Sequence, residues 1–219
     1  MKVDIYSDIV CPWCYIGKRR FEQAVASFDS DTPLDVVFRP FQLDPTAPEM
    51  SLPVRQYLAM RFGGLGEQMT RQVGSIAEGE GIRIDWDSAL VANTLRAHVV
   101  TMHVEREHGA EAQKALIDKL FLAHFTEGLD VADPEVLVHL ASEVGADPPR
   151  VRSLLQSEES LTEISNAIAA ARDLGVKAVP TFVFDGRYRV EGAQSAEAFR
   201  QVLNEVEKLT REREGDTGR

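Results

Sequence analysis

The stretch Asp8-Ile9-Val10-Cys11-Pro12-Trp13-Cys14-Tyr15-Ile16 decides how this chain is read. It holds the only two cysteines in 219 residues. A strand-like run (Val3, Ile5, Ile9, Val10) precedes it and a helix-like run (Ile16 to Phe28) follows. Both sulfurs are therefore expected on the first turn of a helix. That end of a helix presents unpaired N–H groups and the positive end of the peptide dipole. A thiolate is stabilised there, its pKa falls, and the thiolate is the attacking form in disulfide exchange. Pro12 suits an early helical position, where its missing N–H costs nothing. Cys14 lies one turn further in, within bonding reach of Cys11. Attack by one sulfur and resolution by the other is a dithiol–disulfide cycle.

Three plainer roles for the pair carry less weight. A structural zinc site wants four ligands, usually from a second Cys or His pair. Here His98, His103, His108, His124 and His139 are scattered without ligand spacing, so no metal is expected. Two ordinary core cysteines would not need placement between a strand and a helix. A purely structural disulfide across so short a loop returns little stability.

Composition sets outer limits. Apolar residues make up 44% and charged residues 27%, ordinary for a globular protein. The net charge of −11 argues against nucleic acid as the main partner, since phosphate binding needs a basic surface. No apolar run approaches the ~20 residues that cross a bilayer. Met1-Lys2-Val3-Asp4 leads straight into a strand with no secretory-signal pattern, so the cytoplasm is the expected compartment. There, disulfides are normally catalytic rather than structural.

Outward from the motif, Lys2 to Val10 reads as a buried strand and Leu34 to Leu43 as a second, with Pro40 near its end. Lys18 reads as a solvated surface lysine. Asp44 to Pro53 is a proline-rich connection. From Ser51 to Gly175 the periodicity is helical throughout. The stripe Leu65, Met69, Val73, Ile76 marks one packing face. Asp87 is expected to cap a long helix to His108, with Gly109 as its stop. Asp133-Pro134 and Asp147-Pro148 are further helix starts. Then the period changes: Phe182, Val183 and Phe184 lead through Asp185-Gly186, a hairpin signal, to Tyr188 and Val190. Ser195 caps a last amphipathic helix through Leu209. The order is strand, helix, strand, helical block, hairpin, helix. Strands from both ends must share one α/β sheet, with the helices inserted between them.

At this point the sequence resembles a family: the DsbA-like branch of the thioredoxin fold, most closely its cytoplasmic FrnE-type oxidoreductases. The resemblance covers nearly the whole chain. It rests on Asp8 to Lys18, on Asn93-Thr94-Leu95-Arg96-Ala97-His98, on Phe125-Thr126-Glu127-Gly128 and on Gly175-Val176-Lys177-Ala178-Val179-Pro180-Thr181-Phe182. It implies a thioredoxin-like core from residues 1–50 and 176–210 with an inserted helical domain over 51–175; the charged, Gly-containing tail over 211–219 has no apolar periodicity and is expected to be mobile. It implies a cis Val179–Pro180 bond facing the cysteines. Cys11 becomes the exposed nucleophile and Cys14 the buried resolving thiol. Pro12, Trp13, Val179 and Pro180 become the substrate site. Partners would be protein thiols or disulfides, with glutathione as a small thiol partner and no bound cofactor. Kappa-class glutathione transferases and hydroxychromene-carboxylate isomerases share this architecture but place a serine where Cys11 stands. A chaperone-like role independent of the cysteines is the other alternative.

Overall fold

A computed structural model of the chain describes residues 1–47 and 51–217. The middle of the Asp44–Pro53 connection and the last two residues thus lie outside the described residues.

Strand β1 (Lys2–Ser7) runs through helix α1 (Pro12–Ala26) into β2 (Asp35–Pro40), which pairs with β1 in parallel. A parallel pair requires such a crossover, and a helix is its usual form. The other half of the sheet comes from the far end of the chain. Strand β5 (Thr181–Phe184) pairs antiparallel with β1, and β6 (Tyr188–Glu191) pairs antiparallel with β5. The strand order is β2-β1-β5-β6. The β5–β6 turn is Asp185-Gly186, both at positive φ (48° and 67°), as a tight hairpin demands. The chain is thus a mixed α/β thioredoxin-like fold of the DsbA type.

Between β2 and β5 lie a two-strand ribbon, β3 (Leu52–Pro53) with β4 (Leu90–Val91), and helices α2 (Val54–Phe62), α3 (Gly64–Gly79), α4 (Leu95–His108), α5 (Ala110–Phe125), α6 (Pro134–Ser142), α7 (Pro148–Gln156) and α8 (Glu158–Asp173). Helix α9 (Ala196–Thr217) closes the fold. Asp133 caps α6 through the Glu135 N–H, and Asp147 caps α7 through the Arg150 N–H.

Helix α1 is the shared wall. Phe21 meets Phe182 of β5 and Phe199 of α9 at ring distances of 5.3 and 5.5 Å. Tyr15 stacks on Phe121 of α5 at 4.8 Å. Each aromatic pair contributes about 0.5–1.5 kcal/mol beyond simple burial. A second tie joins the sheet to the inserted helices. Gln113 of α5, fully buried, accepts the Phe38 N–H at 2.8 Å and donates to the Phe38 carbonyl at 2.9 Å. It thereby completes the outer edge of β2.

Several expectations change. Helix α4 starts at Leu95, not after Asp87, because residues before it are used otherwise: Leu90–Val91 form the ribbon and Asp85 holds the turn by accepting the Asp87 N–H. The side chain that accepts the early Leu95 N–H belongs to Asn93. Leu65 and Met69 do not pack; the buried face of α3 is Gly66, Thr70, Val73 and Ala77. Helix α9 continues through residues 211–217 of the tail. Arg211, Glu212 and Arg213 are good helix formers, and Arg211 pairs with Glu207 one turn back at 2.8 Å.

Candidate active site

Cys11 is the N-cap residue of α1, with φ −92° and ψ 110°, and Pro12 occupies the first turn. A backbone turn sets this up: the Cys11 N–H donates to the Asp8 carbonyl at 3.1 Å, and the Cys14 N–H donates to the Cys11 carbonyl at 3.0 Å. No side chain caps the helix and no acidic residue sits in its first turn. The positive end of α1 is therefore left for the sulfurs. Both cysteines are free thiols.

The Val179–Pro180 peptide bond is cis. Its loop lies against the thiols, with the Cys11 Sγ 3.8 Å from the Val179 carbonyl oxygen. Pro180 and Val179 are buried and Pro12 is half-buried. Trp13 is the large apolar side chain of the motif left in solvent, at 36% exposure. The structure thus brings Cys11, Cys14, Val179 and Pro180 together, with Pro12 and Trp13 between the sulfurs in sequence.

Two expectations are corrected here. Cys11 is 3% exposed, barely more than Cys14 at 2%, because the 179–180 loop covers its sulfur. Lys18 is buried rather than solvated. Its ammonium reaches Glu22 at 2.7 Å and Asp118 of α5 at 2.5 Å, so its charge is spent tying α1 to the inserted helices.

Burial pushes the Cys14 thiol well above its usual pKa, and the neighbouring Cys11 sulfur adds to this. The Asp8 N–H, 3.5 Å from the Cys14 sulfur, and the Ser7 hydroxyl pull the other way. Cys14 is thus held as a thiol while the pair is reduced.

Three residues that received no role from the sequence also belong to this region. Asp8, His98 and His124 are all buried. Asp8 Oδ2 accepts the Leu43 N–H at 2.8 Å, and His98 Nε2 lies 3.0 Å from the Phe41 carbonyl. Arg172 of α8 donates to the Gln42 carbonyl at 3.0 Å and stacks over Phe41. The turn after β2 is thereby pinned from three elements beside the motif. Asp8 and His98 stood inside the stretches quoted above. A lone carboxylate in a run turning apolar was the available signal.

A strand–dithiol–helix unit facing a cis-proline loop, on this sheet, defines a thioredoxin-fold protein with paired thiols. The chain belongs to the DSBA-like thioredoxin domain family, whose description matches residues 2–204. Among solved structures, a probable DsbA oxidoreductase, SCO1869 of Streptomyces coelicolor, is 36% identical with a TM-score of 0.84, over 94% of this chain and 89% of that one. The cytosolic disulfide reductase DsbM of Pseudomonas aeruginosa, solved with GSH, has 19% identity and a TM-score of 0.67, over 95% and 100% of the two chains. A 2-hydroxychromene-2-carboxylate isomerase has 19% identity and a TM-score of 0.64, over 98% of each chain. At such identities the last two speak for the fold.

Proposed function

We propose that this protein is a thiol–disulfide oxidoreductase whose working pair is Cys11 and Cys14. The observation that supports this most directly is the placement of both free thiols at the N-terminal end of α1, which no side chain caps, with the Cys11 sulfur against the Val179 carbonyl. A helix N-terminus favours the anionic sulfur that exchange requires. Burial holds the proton on Cys14, so Cys11 attacks first and Cys14 resolves.

The cycle balances as follows. The Cys11 thiolate attacks one sulfur of a substrate disulfide, forming a mixed disulfide and releasing one substrate thiolate. Cys14 loses its proton and attacks the Cys11 sulfur. The Cys11–Cys14 disulfide closes and the second substrate thiolate leaves. Two electrons pass to the substrate, and a substrate dithiol running the steps backward returns them. The attacking sulfurs must line up with the bond being broken, so the exposed Trp13 and the backbone beside Pro180 serve to orient an extended segment. Glutathione is the small thiol we favour as a partner. The presence of GSH in the DsbM structure supports that choice. The FrnE-type, cytoplasmic assignment rests on the resemblance of the cysteine and cis-proline segments.

Two substitutions test the proposal. Cys14→Ser should accumulate a mixed disulfide on Cys11, visible as added mass that a reductant removes. Cys11→Ser should be inert towards disulfides. Undiminished turnover in Cys11→Ser would shift the reading to the isomerase or chaperone-like alternatives.

A further inference from the structure

A cleft of about 690 Å³ opens on the inserted helices, lined by none of the residues assigned to the thiol site. Small-molecule sites typically span ~300–1,000 Å³, so its size is suitable. Helix α2 supplies Arg55, α3 supplies Arg71 and Gly74, and the segment after α3 supplies Arg83, Ile84 and Trp86. That segment is held in place. The Asp85 N–H donates to the Phe125 carbonyl at 2.7 Å, and the Thr126 hydroxyl donates to the Arg83 carbonyl at 2.7 Å. The Trp86 ring meets Phe125 edge-on at 6.5 Å.

Three arginines and one acidic residue, Glu78, line this cleft, in a chain whose net charge is −11. Arg55 reaches Asp87 and Arg71 reaches Glu67, each at 2.5 Å. Both pairs are solvent-exposed and therefore weak, and a guanidinium carries five N–H donors, more than one carboxylate takes. Arg83 forms no ion pair among the described residues, although the Asp85 charge lies near. The indole adds a further donor. Trp86 Nε1 is buried and its N–H finds no acceptor. It borders Gly74, where a Cβ would stand 3.2 Å from Nε1. Glycine inside a helix is unfavourable relative to alanine, and here a side chain would crowd the indole edge.

Guanidinium donors to spare and an unpaired indole N–H call for an anionic acceptor, while Ile84 and the Trp86 ring offer an apolar wall beside them. We propose that this cleft binds a small organic acid, its carboxylate held by Arg71, Arg83 and the Trp86 N–H and its apolar body laid against Ile84 and the indole. The guanidinium fork matches a planar carboxylate. The apolar wall favours an acid with a hydrocarbon body over inorganic phosphate. The site goes beyond the thiol chemistry and stands without it, since Cys11, Cys14 and the 179–180 loop take no part in its lining.

The test uses the indole N–H signals of the full-length, nitrogen-15-labelled protein in proton–nitrogen correlation spectra. The chain has two tryptophans, so Trp13→Phe identifies the Trp86 signal by leaving it alone. Sodium benzoate and sodium hexanoate, titrated to millimolar concentration at constant ionic strength, should move the Trp86 signal saturably. Benzyl alcohol, close to benzoate in shape but uncharged, should bind about tenfold more weakly or less, because it lacks the charge-assisted bonds. Replacing Arg71→Gln and Arg83→Gln together should weaken benzoate by about tenfold or more for the same reason. Both side chains are exposed, so this variant should fold. Gly74→Ala should reduce the response further by crowding Nε1, and the double arginine variant decides the matter alone if Gly74→Ala does not fold. A Trp86 signal that neither acid moves would overturn the inference. Benzyl alcohol binding as well as benzoate, or unchanged benzoate binding in the double variant, would overturn it too, since the cleft would then not read charge. Inorganic phosphate moving the signal as well as benzoate would overturn the assignment to organic acids. None of these results touches the thiol reading, which is tested at Cys11 and Cys14.

Discussion

At the scale of single residues, burial changes where protons bind. His124 shows this best. Its pKa is lowered from 6.5 to about 4 by burial. In the unfolded chain the imidazole takes a proton as pH falls through about 6.5, while in the folded protein it does not until about 4. Stability is therefore full above about pH 6.5 and is lost progressively down to about pH 4, by up to about 3 kcal/mol. Denaturant midpoints measured across that window should fall in the wild type and flatten in His124→Phe. An equally steep fall in the variant would contradict this assignment. The cysteines were legible from spacing alone, since only one pair exists and it sits between a strand and a helix. The burial of Cys11, Lys18 and His124 was not, because it depends on the 179–180 loop and on α5, both far away in sequence.

At the scale of elements, α1 must meet the 179–180 loop closely, and Gly17 permits it. A Cβ at Gly17 would stand 2.8 Å from Pro180 Cγ and 3.4 Å from the Ala193 backbone. Neither a proline ring nor a backbone atom gives way cheaply. Gly17→Ala should therefore push the loop away from Cys11. It should cost about 1–3 kcal/mol of overpacking, against a gain of about 1 kcal/mol in helix propensity. Thermal melts should show a net loss, and disulfide exchange should slow. A higher melting temperature with unchanged exchange would count against this account of the loop. Elements with local signatures were readable: the Asp185-Gly186 hairpin, the Asp133 and Asp147 caps and the α1 start. The start of α4 was misread because an aspartate before an apolar run marks turns as well as helix caps. Here Asp85, the β3–β4 ribbon and Asn93 take those roles. The stripe of α3 was misread because the packed face uses Gly66, Thr70 and Ala77, whose small or polar side chains carry little hydrophobic signal.

At the scale of the whole molecule, the sheet and the inserted helices are joined by contacts no local pattern announces. Gln113 reads as a polar helix residue, yet it closes the edge of β2 from 75 positions away. Gln113→Leu roughly keeps the volume and removes both hydrogen bonds to Phe38, leaving its N–H and carbonyl buried without the Gln113 partner. The loss should be about 2–5 kcal/mol, measured by chemical denaturation, since each unpaired group costs about 1–3 kcal/mol. A loss under about 1 kcal/mol would show that the edge finds other partners. The topology itself was legible, because strand signals at both ends with helices between them admit one arrangement: a sheet built from the two ends. The side chains that dock the helices on it could be seen only once the fold was in hand.

The measurement that bears most directly on the central claim is a redox titration of Cys11 and Cys14 in glutathione buffers, read by mass after thiol alkylation. The account predicts a reversible two-electron change between two alkylated thiols and none, at a potential well above roughly −300 mV, where inert structural disulfides lie. Thiols that never pair across the whole range, or a pair that forms and cannot be reduced by glutathione, would contradict it.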